Sequence, residues 1–440
     1  MKQFINKYFI RVILIVGLIL RLINLNQSLW IDEATTALVA RMSFPDIFTK
    51  FLPGDFHPPL YYLFMKFWVS IFGSAEISLR IPSVIFGVLI IYFIYLIAKK
   101  LFDVKTGIIA SILASTSGLL IYYSQEARMY SLTAFLATAL VYLYLQKKWV
   151  LFSVSLILLG MTDYTALLIV PVFLIFNKES RKKVLTSLIP LFLTFVFWMP
   201  IFVKQLSEGL ALKGSSWWNI LGQVSFKNIV LVPVKFILGR IGFDNKTLYA
   251  LIAVAVCVVF GYLIIKSIKT PKLIWAWLII PILSGIIISI KIPVLYYFRF
   301  LFCLPAFYLL IAGGITKLSG KKYWIFLSFV LLINVASSCL YLFNSKFHRE
   351  NWRNISIAVG EDTIIYPSNS QTEALTYYQK SRQIVYFGDF DGGPSVVWLS
   401  RYVWQIFDPN DTARIRMEYL GYNKTQELNM NGVEFWKYIK

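Results

Sequence analysis

The sequence predicts an α-helical protein that crosses a membrane about eleven times, with runs of about 20 apolar residues as the unit, and carries a small C-terminal α/β module. Three observations predict it. Of 440 residues, 58% are hydrophobic and only 15% are charged, where soluble domains average about 25% charged. The mean hydropathy is +0.67, and the apolar residues come in runs able to cross about 30 Å of hydrocarbon. Beyond Asn344 those runs stop, and a polar segment alternating short β-type and helical stretches follows.

The formal charge of +21 does not point to nucleic acid. Lysines and arginines recur in small clusters between apolar runs, the pattern of loops that set membrane topology. Cys257, Cys303 and Cys339 all lie inside apolar runs and read as buried hydrophobes, with no disulfide framework or CxxC pair.

Taken in order, spans are expected near 8–25, 79–98, 107–124, 128–146, 149–162, 164–177, 184–203, 247–266, 273–290, 296–316 and 323–343. The first, Tyr8 to Leu22, follows Lys2 and Lys7 and lacks a small-residue cleavage site, so it reads as a retained span with a cytoplasmic N-terminus. The spans at 149–162 and 164–177 are short, which lets the outer surface dip there. Trp149, Trp275 and Trp324 mark span ends, as interfacial aromatics do.

Leu60 to Phe72 tempts a span assignment but has only 13 residues, follows Pro58-Pro59 and holds Lys66. Topology decides against it. If it does not cross, the clusters at Lys99, Lys100 and Lys105; Lys147 and Lys148; Lys178, Arg181, Lys182 and Lys183; Lys266, Lys269 and Lys272; and Lys317, Lys321 and Lys322 all share the side of Lys2 and Lys7. The stretch is therefore expected as a helix lying in the interface, with Lys66 snorkelling. Residues 1–343 form the membrane domain, with a first outer loop at 26–78, and 344–440 form an extracytoplasmic module.

On the outer face the loop 204–246, with Trp217-Trp218 and the interrupted apolar stretch Ile229 to Ile241, reads equally as an interfacial lid or as an ordinary long loop. In the module, 363–366, 383–387, 396–399 and 433–438 are expected strands, and 371–380 and 409–420 expected helices.

The chemistry-bearing residues collect on that face. Trp30 to Pro59 holds Asp32, Glu33, Asp46 and Asp55 and one of only two histidines. Charged groups beside a bilayer are rare and usually functional. Asp32 opens an expected helix over Glu33–Met42, so it reads either as an N-cap or as a general base that accepts a hydroxyl proton. His57 suits a structural or phosphate contact. A divalent cation shared with Asp32 or Glu33 is the weaker alternative. Arg128, in Ser124-Gln125-Glu126-Ala127-Arg128, and Arg299, two residues after Tyr297, suit phosphate recognition or lipid headgroups. No P-loop, HExxH, GxSxG or glycine-rich dinucleotide fingerprint occurs.

Several motifs in order resemble the GT-C glycosyltransferases, in the family 39 branch of protein mannosyltransferases and lipid A aminoarabinose transferases. They are Trp30-x-Asp32-Glu33, Asp55-x-His57-Pro58-Pro59-Leu60-Tyr61-Tyr62, Leu79-Arg80-Ile81-Pro82-Ser83, Tyr123-Ser124-Gln125-Glu126-Ala127-Arg128-x-Tyr130 and Tyr297-x-Arg299-Phe300-Leu301 to Pro305. The resemblance covers roughly residues 8–316.

It implies a GT-C fold, a polyprenyl-phosphate-linked sugar donor, and inverting transfer to a protein, lipid or polysaccharide acceptor on the outer face. The acidic pair maps to Asp32 and Glu33 as the catalytic group. His57, Glu126, Arg128, Tyr297 and Arg299 map to substrate binding, with Glu33 and His57 the candidates if a metal takes part. The chain departs from the pattern at Asp163-Tyr164, where relatives often have His before Tyr. The alternative is a multi-span lipid or glycolipid transporter or flippase, which would favour charges deep within broken, repeated spans.

Overall fold

The computed structural model describes residues 2–440 except 176–177, 217, 219–220, 369 and 380–382. Trp217, the last two residues of the expected 164–177 span and the Lys380 end of the expected 371–380 helix lie outside the described residues.

Every expected span is helical, but the lengths differ. Among the described residues, five helices are long and apolar enough to cross a membrane: Glu76–Leu101, Glu179–Ala211, Lys246–Lys266, Tyr297–Thr316 and Gly320–Phe343. Val104–Ser115 and Gly118–Ser124 make a sixth crossing only as a pair bent by 60°. The first helix, Lys2–Leu22, has 21 residues. Tyr130–Leu145, Trp149–Gly160, Tyr164–Ile175 and Lys272–Ile288 are apolar but shorter. Trp149–Gly160, with 12 residues, reaches only about 18 Å at about 1.5 Å per residue, so it stops short of a full crossing.

The core is built around the late span. Residues 300–315 are buried without exception, and Gly314 lets the chain approach Lys246–Lys266 closely. A Cβ there would meet the Leu263 carbonyl oxygen at 2.1 Å. Helix Glu179–Ala211, in contrast, presents Phe192 and Phe197 outward, the latter 87% exposed, as a lipid-facing helix does.

The 60° break has a specific repair. A helix end leaves its last carbonyls without partners, and here side chains from elsewhere supply donors. Asn334 Nδ2 donates to Leu113 O at 3.0 Å, Arg21 Nη1 to Ser115 O at 3.2 Å, and Ser338 Oγ to Thr116 O at 2.6 Å. Arg21 Nε also donates to Ser124 Oγ at 3.0 Å, which stitches the first helix across the bend.

The basic turns meet at one end of the bundle. Lys100 Nζ donates to Gln146 Oε1 at 3.1 Å, and Lys105 lies 4.0 Å above the Tyr323 ring. Helix Leu60–Phe72 stays at the opposite end. Leu60 N donates to Met161 O at 2.9 Å, and Ser78 Oγ donates to Gly73 O at 2.9 Å just past its other terminus. It buries Tyr61, Tyr62 and Met65, one face at helical spacing, and Lys66 bonds the Met42 carbonyl. The 204–246 region is largely helical. The preceding helix runs on to Ala211, and Phe226–Leu238 follows, its end tied by Ser337 Oγ to Leu238 O at 2.8 Å.

The C-terminal residues form a five-stranded mixed sheet of order β2-β1-β3-β5-β4, from β1 Thr363–Tyr366, β2 Ile384–Tyr386, β3 Val396–Ser400, β4 Asn423–Met430 and β5 Val433–Ile439. β1 is parallel to β2 and β3, while β5 is antiparallel to β3 and β4. Strand β4 and helix Trp352–Val359 were not expected. The β4 sequence NKTQELNM is polar and mostly exposed, because it is an edge strand that Lys and Glu keep soluble.

The sheet is not a free appendage. Trp352, Ile355, Ile364, Trp398 and Phe435 share one continuous apolar core with the bundle. Leu29 N donates to Tyr378 Oη at 2.8 Å, Tyr377 Oη to Ser74 O at 2.7 Å, and Arg353 pairs with Glu76 at 2.7 Å. Both ends of the acidic loop are thus tied to the C-terminal segment.

Candidate active site

Helix Ile31–Arg41 starts two residues earlier than the capping reading of Asp32 requires. Its N-cap is Trp30, with no side-chain cap bond, and Asp32 lies inside the first turn. There the helix dipole favours a carboxylate while leaving its oxygens unspent on capping. The Asp32 side chain is 39% exposed, and its one ion-pair partner among the described residues is Arg128 Nη2 at 3.8 Å.

Glu33, its neighbour, faces the opposite way and is fully buried. Arg80 donates from Nε to Oε1 at 2.8 Å and from Nη2 to Oε2 at 2.5 Å, and Ala127 N donates to Oε1 at 2.8 Å. Arg349 Nε stands 3.7 Å from Oε2. Burial works against the charge, but Arg80, Arg349 and the amide outweigh it and hold the carboxyl below its ordinary range.

Glu126 belongs to the same buried layer. Its Oε2 accepts from Arg349 Nη1 at 3.2 Å. Burial, aided by the nearby Glu33 charge, outweighs Arg349 and raises its carboxyl above the usual range. The turn carrying it is pinned on every side. Ser83 Oγ donates to Glu126 O at 2.6 Å, Gln125 Nε2 to Ile23 O at 2.7 Å, and Tyr341 Oη to Gln125 Oε1 at 2.8 Å. Neither Glu33 nor Glu126 faces open space.

Arg128 leaves that turn toward the acidic loop. Nη1 donates to Tyr62 Oη at 3.1 Å, while its buried Nε has no hydrogen-bond partner among the described residues. The Tyr62 hydroxyl also faces Asp55, which pairs with His57 Nδ1 at 3.4 Å. Burial opposes the Asp55 charge, yet His57, Arg128 and Tyr62 bring its carboxyl down to about 2. Gln205, from the long helix Lys178–Ala211, donates to His57 O at 3.0 Å and Leu52 O at 2.8 Å and fixes this corner.

His57 and Arg299 are brought to one cavity of about 340 Å³, with Phe56, Tyr130, Asp163 and the apolar Leu206, Leu210, Ile288 and Ile292 among its lining. Asp163 caps its own turn, accepting from Thr165 N at 2.8 Å. Tyr297, two residues before Arg299, does not line the cavity and is buried.

A further cation comes from the region after Phe226–Leu238. Gly239 takes φ +65°, a conformation open to glycine at little cost, and turns the chain so that Arg240 lies 4.7 Å over the Tyr122 ring. Arg240 makes no hydrogen bond or ion pair among the described residues. It is solvent-accessible, yet Tyr123, Tyr297 and Glu126 surround it.

Sequence reasoning missed Arg80's role, Arg240 and Arg349. Arg80 stands in a quoted motif, but Arg240 and Arg349 are isolated basic residues with no local signal. As for a metal, Glu33 and His57 do not fit as ligands. Both Glu33 oxygens are taken by Arg80 and the Ala127 amide, and among the described residues no three His, Cys, Asp or Glu side chains stand together.

Residues 56–206 match the family model described as dolichyl-phosphate-mannose-protein mannosyltransferase. The fold matches crystal structures of ArnT from Cupriavidus metallidurans over 98% of this chain and 97% of that one, at 11% identity. The TM-score is 0.62 for its apo state and 0.59 for its complex with undecaprenyl phosphate. The chain has a GT-C fold. The Archaeoglobus fulgidus oligosaccharyltransferase has the same kind of fold, with TM-score 0.51 and 13% identity over 96% of this chain and 72% of that one. No curated protein matches the chain by sequence. The transporter alternative gains no support, since the matched family is a family of transferases. Of the candidate residues, His57, Glu126 and Arg128 fall within the matched segment, and the remainder lie outside it.

Proposed function

We propose that this protein is a glycosyltransferase that moves a sugar from a polyprenyl-phosphate carrier to an acceptor hydroxyl on the extracytoplasmic face, in one inverting step with Asp32 as general base. The observation that carries the reading is the contrast within the acidic pair. Asp32 keeps an accessible carboxylate beside Arg128, while Glu33 is consumed by Arg80. The acceptor oxygen attacks the anomeric carbon and Asp32 takes its proton. The bond from that carbon to the phosphate oxygen breaks, and the electron pair leaves with the lipid phosphate.

A phosphate leaving group is stabilised by fixed positive charge. Arg299 and His57 at the cavity, with Arg240 nearby, are the residues assigned to it, and the apolar cavity wall suits the first part of a lipid tail. The ArnT complex with undecaprenyl phosphate supports a carrier of this class. Glu33 and Glu126 hold the site together and do not touch substrate. The basic turns gathering at the end opposite Asp32 support an orientation with the N-terminus in the cytoplasm and the sheet outside.

The test is Asp32→Asn in cells lacking the native copy, with mass spectrometry of envelope glycans and glycoproteins. The expected result is a stably inserted protein that restores no glycan. Full restoration by this variant would sink the assignment of the base. The glycan missing from cells without the protein identifies donor sugar and acceptor together.

A further inference from the structure

We propose that Arg349, from the C-terminal segment, is a positioning residue that sets both Asp32 and Arg240, so that this segment completes the active site. The inference rests on the transferase reading and extends it.

Arg349 follows the last membrane-length helix, Gly320–Phe343, and its side chain turns back into the bundle, where it is buried. Both terminal nitrogens of the guanidinium are hydrogen-bonded, while the buried Nε has no hydrogen-bond partner among the described residues. Nη1 donates to Tyr122 Oη at 2.8 Å and Glu126 Oε2 at 3.2 Å, and Nη2 donates to Tyr122 O and Gln125 O, both at 3.1 Å. Nε faces Glu33 Oε2 at 3.7 Å. The two carbonyls belong to the end of helix Gly118–Ser124 and the turn after it, where backbone donors run short, although Tyr122 O also accepts from Gln125 N at 3.1 Å. Burial makes such gaps costly.

Two functional groups hang on these contacts. Glu33 follows Asp32 in the first turn of helix Ile31–Arg41, so fixing Glu33 fixes the rotation of that turn. Tyr122 carries Arg349 at 4.3 Å and Arg240 at 4.7 Å from the same ring centre, so the hold on Tyr122 also backs Arg240. The backbone of Arg349 is anchored from both sides, with its N donating to Gln27 Oε1 at 3.0 Å and its O accepting from Asn431 Nδ2 at 3.1 Å. One anchor comes from the acidic loop and the other from the turn between β4 and β5. A lysine would keep the charge but has no planar fork to serve two carbonyls and two carboxylates together.

Arg353 provides the comparison. It also ties the C-terminal segment to the loop, through Glu76 at 2.7 Å, but touches neither Tyr122 nor Glu33. Full-length protein in detergent is prepared as wild type, Arg349→Lys, Arg349→Met and Arg353→Met. Amide hydrogen exchange is followed over 27–41 and 121–130, binding of undecaprenyl phosphate is measured, and envelope glycan restored in cells lacking the native copy is quantified. The expected result for Arg349→Lys is a folded protein with exchange in 121–130 about tenfold faster, undecaprenyl phosphate affinity down about threefold, and restored glycan down at least tenfold. Arg353→Met stays within twofold of wild type in all three. Wild-type exchange and glycan in Arg349→Lys would overturn the proposal, as would equal damage in Arg353→Met, which would make general docking the cause. Asp32→Asn runs alongside as the reference. If it restores glycan, the assignment of Asp32 as base fails, and the exchange data then decide the positioning claim alone. Arg349→Met serves only if it folds, and Arg349→Lys carries the decision.

Discussion

Arg80 grips Glu33 with two parallel hydrogen bonds, Nε to Oε1 at 2.8 Å and Nη2 to Oε2 at 2.5 Å, where solvent is excluded. The remaining guanidinium protons go to the Leu25, Gln27 and Ser28 carbonyls at 2.9, 2.6 and 3.0 Å. The pair therefore closes the first loop onto helix Glu76–Leu101. Removing one partner of a buried ion pair leaves an uncompensated charge and costs about 3–5 kcal/mol. Arg80→Met is expected to lose that much in a denaturant titration, and Arg80→Met with Glu33→Leu to lose clearly less. A loss below about 1 kcal/mol for the single variant would contradict the account.

The two acidic neighbours are expected to separate cleanly. Asp32→Asn should leave thermal stability near wild type and lower transfer by about 10²–10⁴, the range of a lost general base. Glu33→Gln should lower folded yield and melting temperature, because Gln cannot accept two charged hydrogen bonds from Arg80. Melting curves and transfer measured on the same preparations check both. A stable, inactive Glu33→Gln beside a stable, active Asp32→Asn would exchange their roles.

Asp55 should give the acidic loop a defined pH response. Its carboxyl lies at about 2, down from 3.8, which corresponds to about 2 kcal/mol of stabilisation. A depressed pKa gives stability that is present above the unfolded value and lost as pH falls through the folded one. The melting-temperature difference between wild type and Asp55→Asn should hence be positive and flat from pH 7 to about 5, then shrink below about 4 and vanish near 2. A difference that grows on acidification would refute the pairing with His57 and Arg128.

Arg299 and Arg240 should each contribute to lipid-phosphate binding without supporting the fold. Among the described residues Arg299 has only a long 3.5 Å hydrogen bond to Pro293 O, and Arg240 rests on the Tyr122 ring. A charged hydrogen bond contributes about 1.5–3 kcal/mol, so either change to Gln should weaken undecaprenyl phosphate binding about tenfold or more. Melting temperatures should stay unchanged. Binding titrations of the two single variants and the double variant measure this, and an unaffected Arg299→Gln would move the phosphate site away from the cavity.

Much of this site was legible because membrane chemistry makes polar residues conspicuous. Asp32, His57, Arg128 and Arg299 stand out against apolar flanks, and the structure brings His57 and Arg299 to one cavity and Asp32 to Arg128. Glu33 and Glu126 were equally conspicuous but lie beneath the site. A carboxylate beside a bilayer looks the same in sequence whether it meets a substrate or a buried arginine. Tyr297 was assigned with Arg299 on the family resemblance, but this stretch is a 3-10 helix, in which residues two apart point in different directions. β4 was missed since an exposed edge strand has no apolar alternation to read.

What the sequence by itself determined is the set of elements and their sidedness. Apolar runs specify which segments can cross, basic clusters specify which turns share an end, and the short, lysine-bearing Leu60–Phe72 keeps the acidic loop at the other end. Those are local properties of composition and length. What only the tertiary structure decided is which way each charge points. Asp32 and Glu33 are adjacent in the chain, but successive helix positions diverge by about 100°, and partners distant in sequence settle the difference. Arg80 and Arg349 bury one carboxylate, and Arg128 leaves the other accessible. Long-range pairing of that kind has no periodicity to betray it.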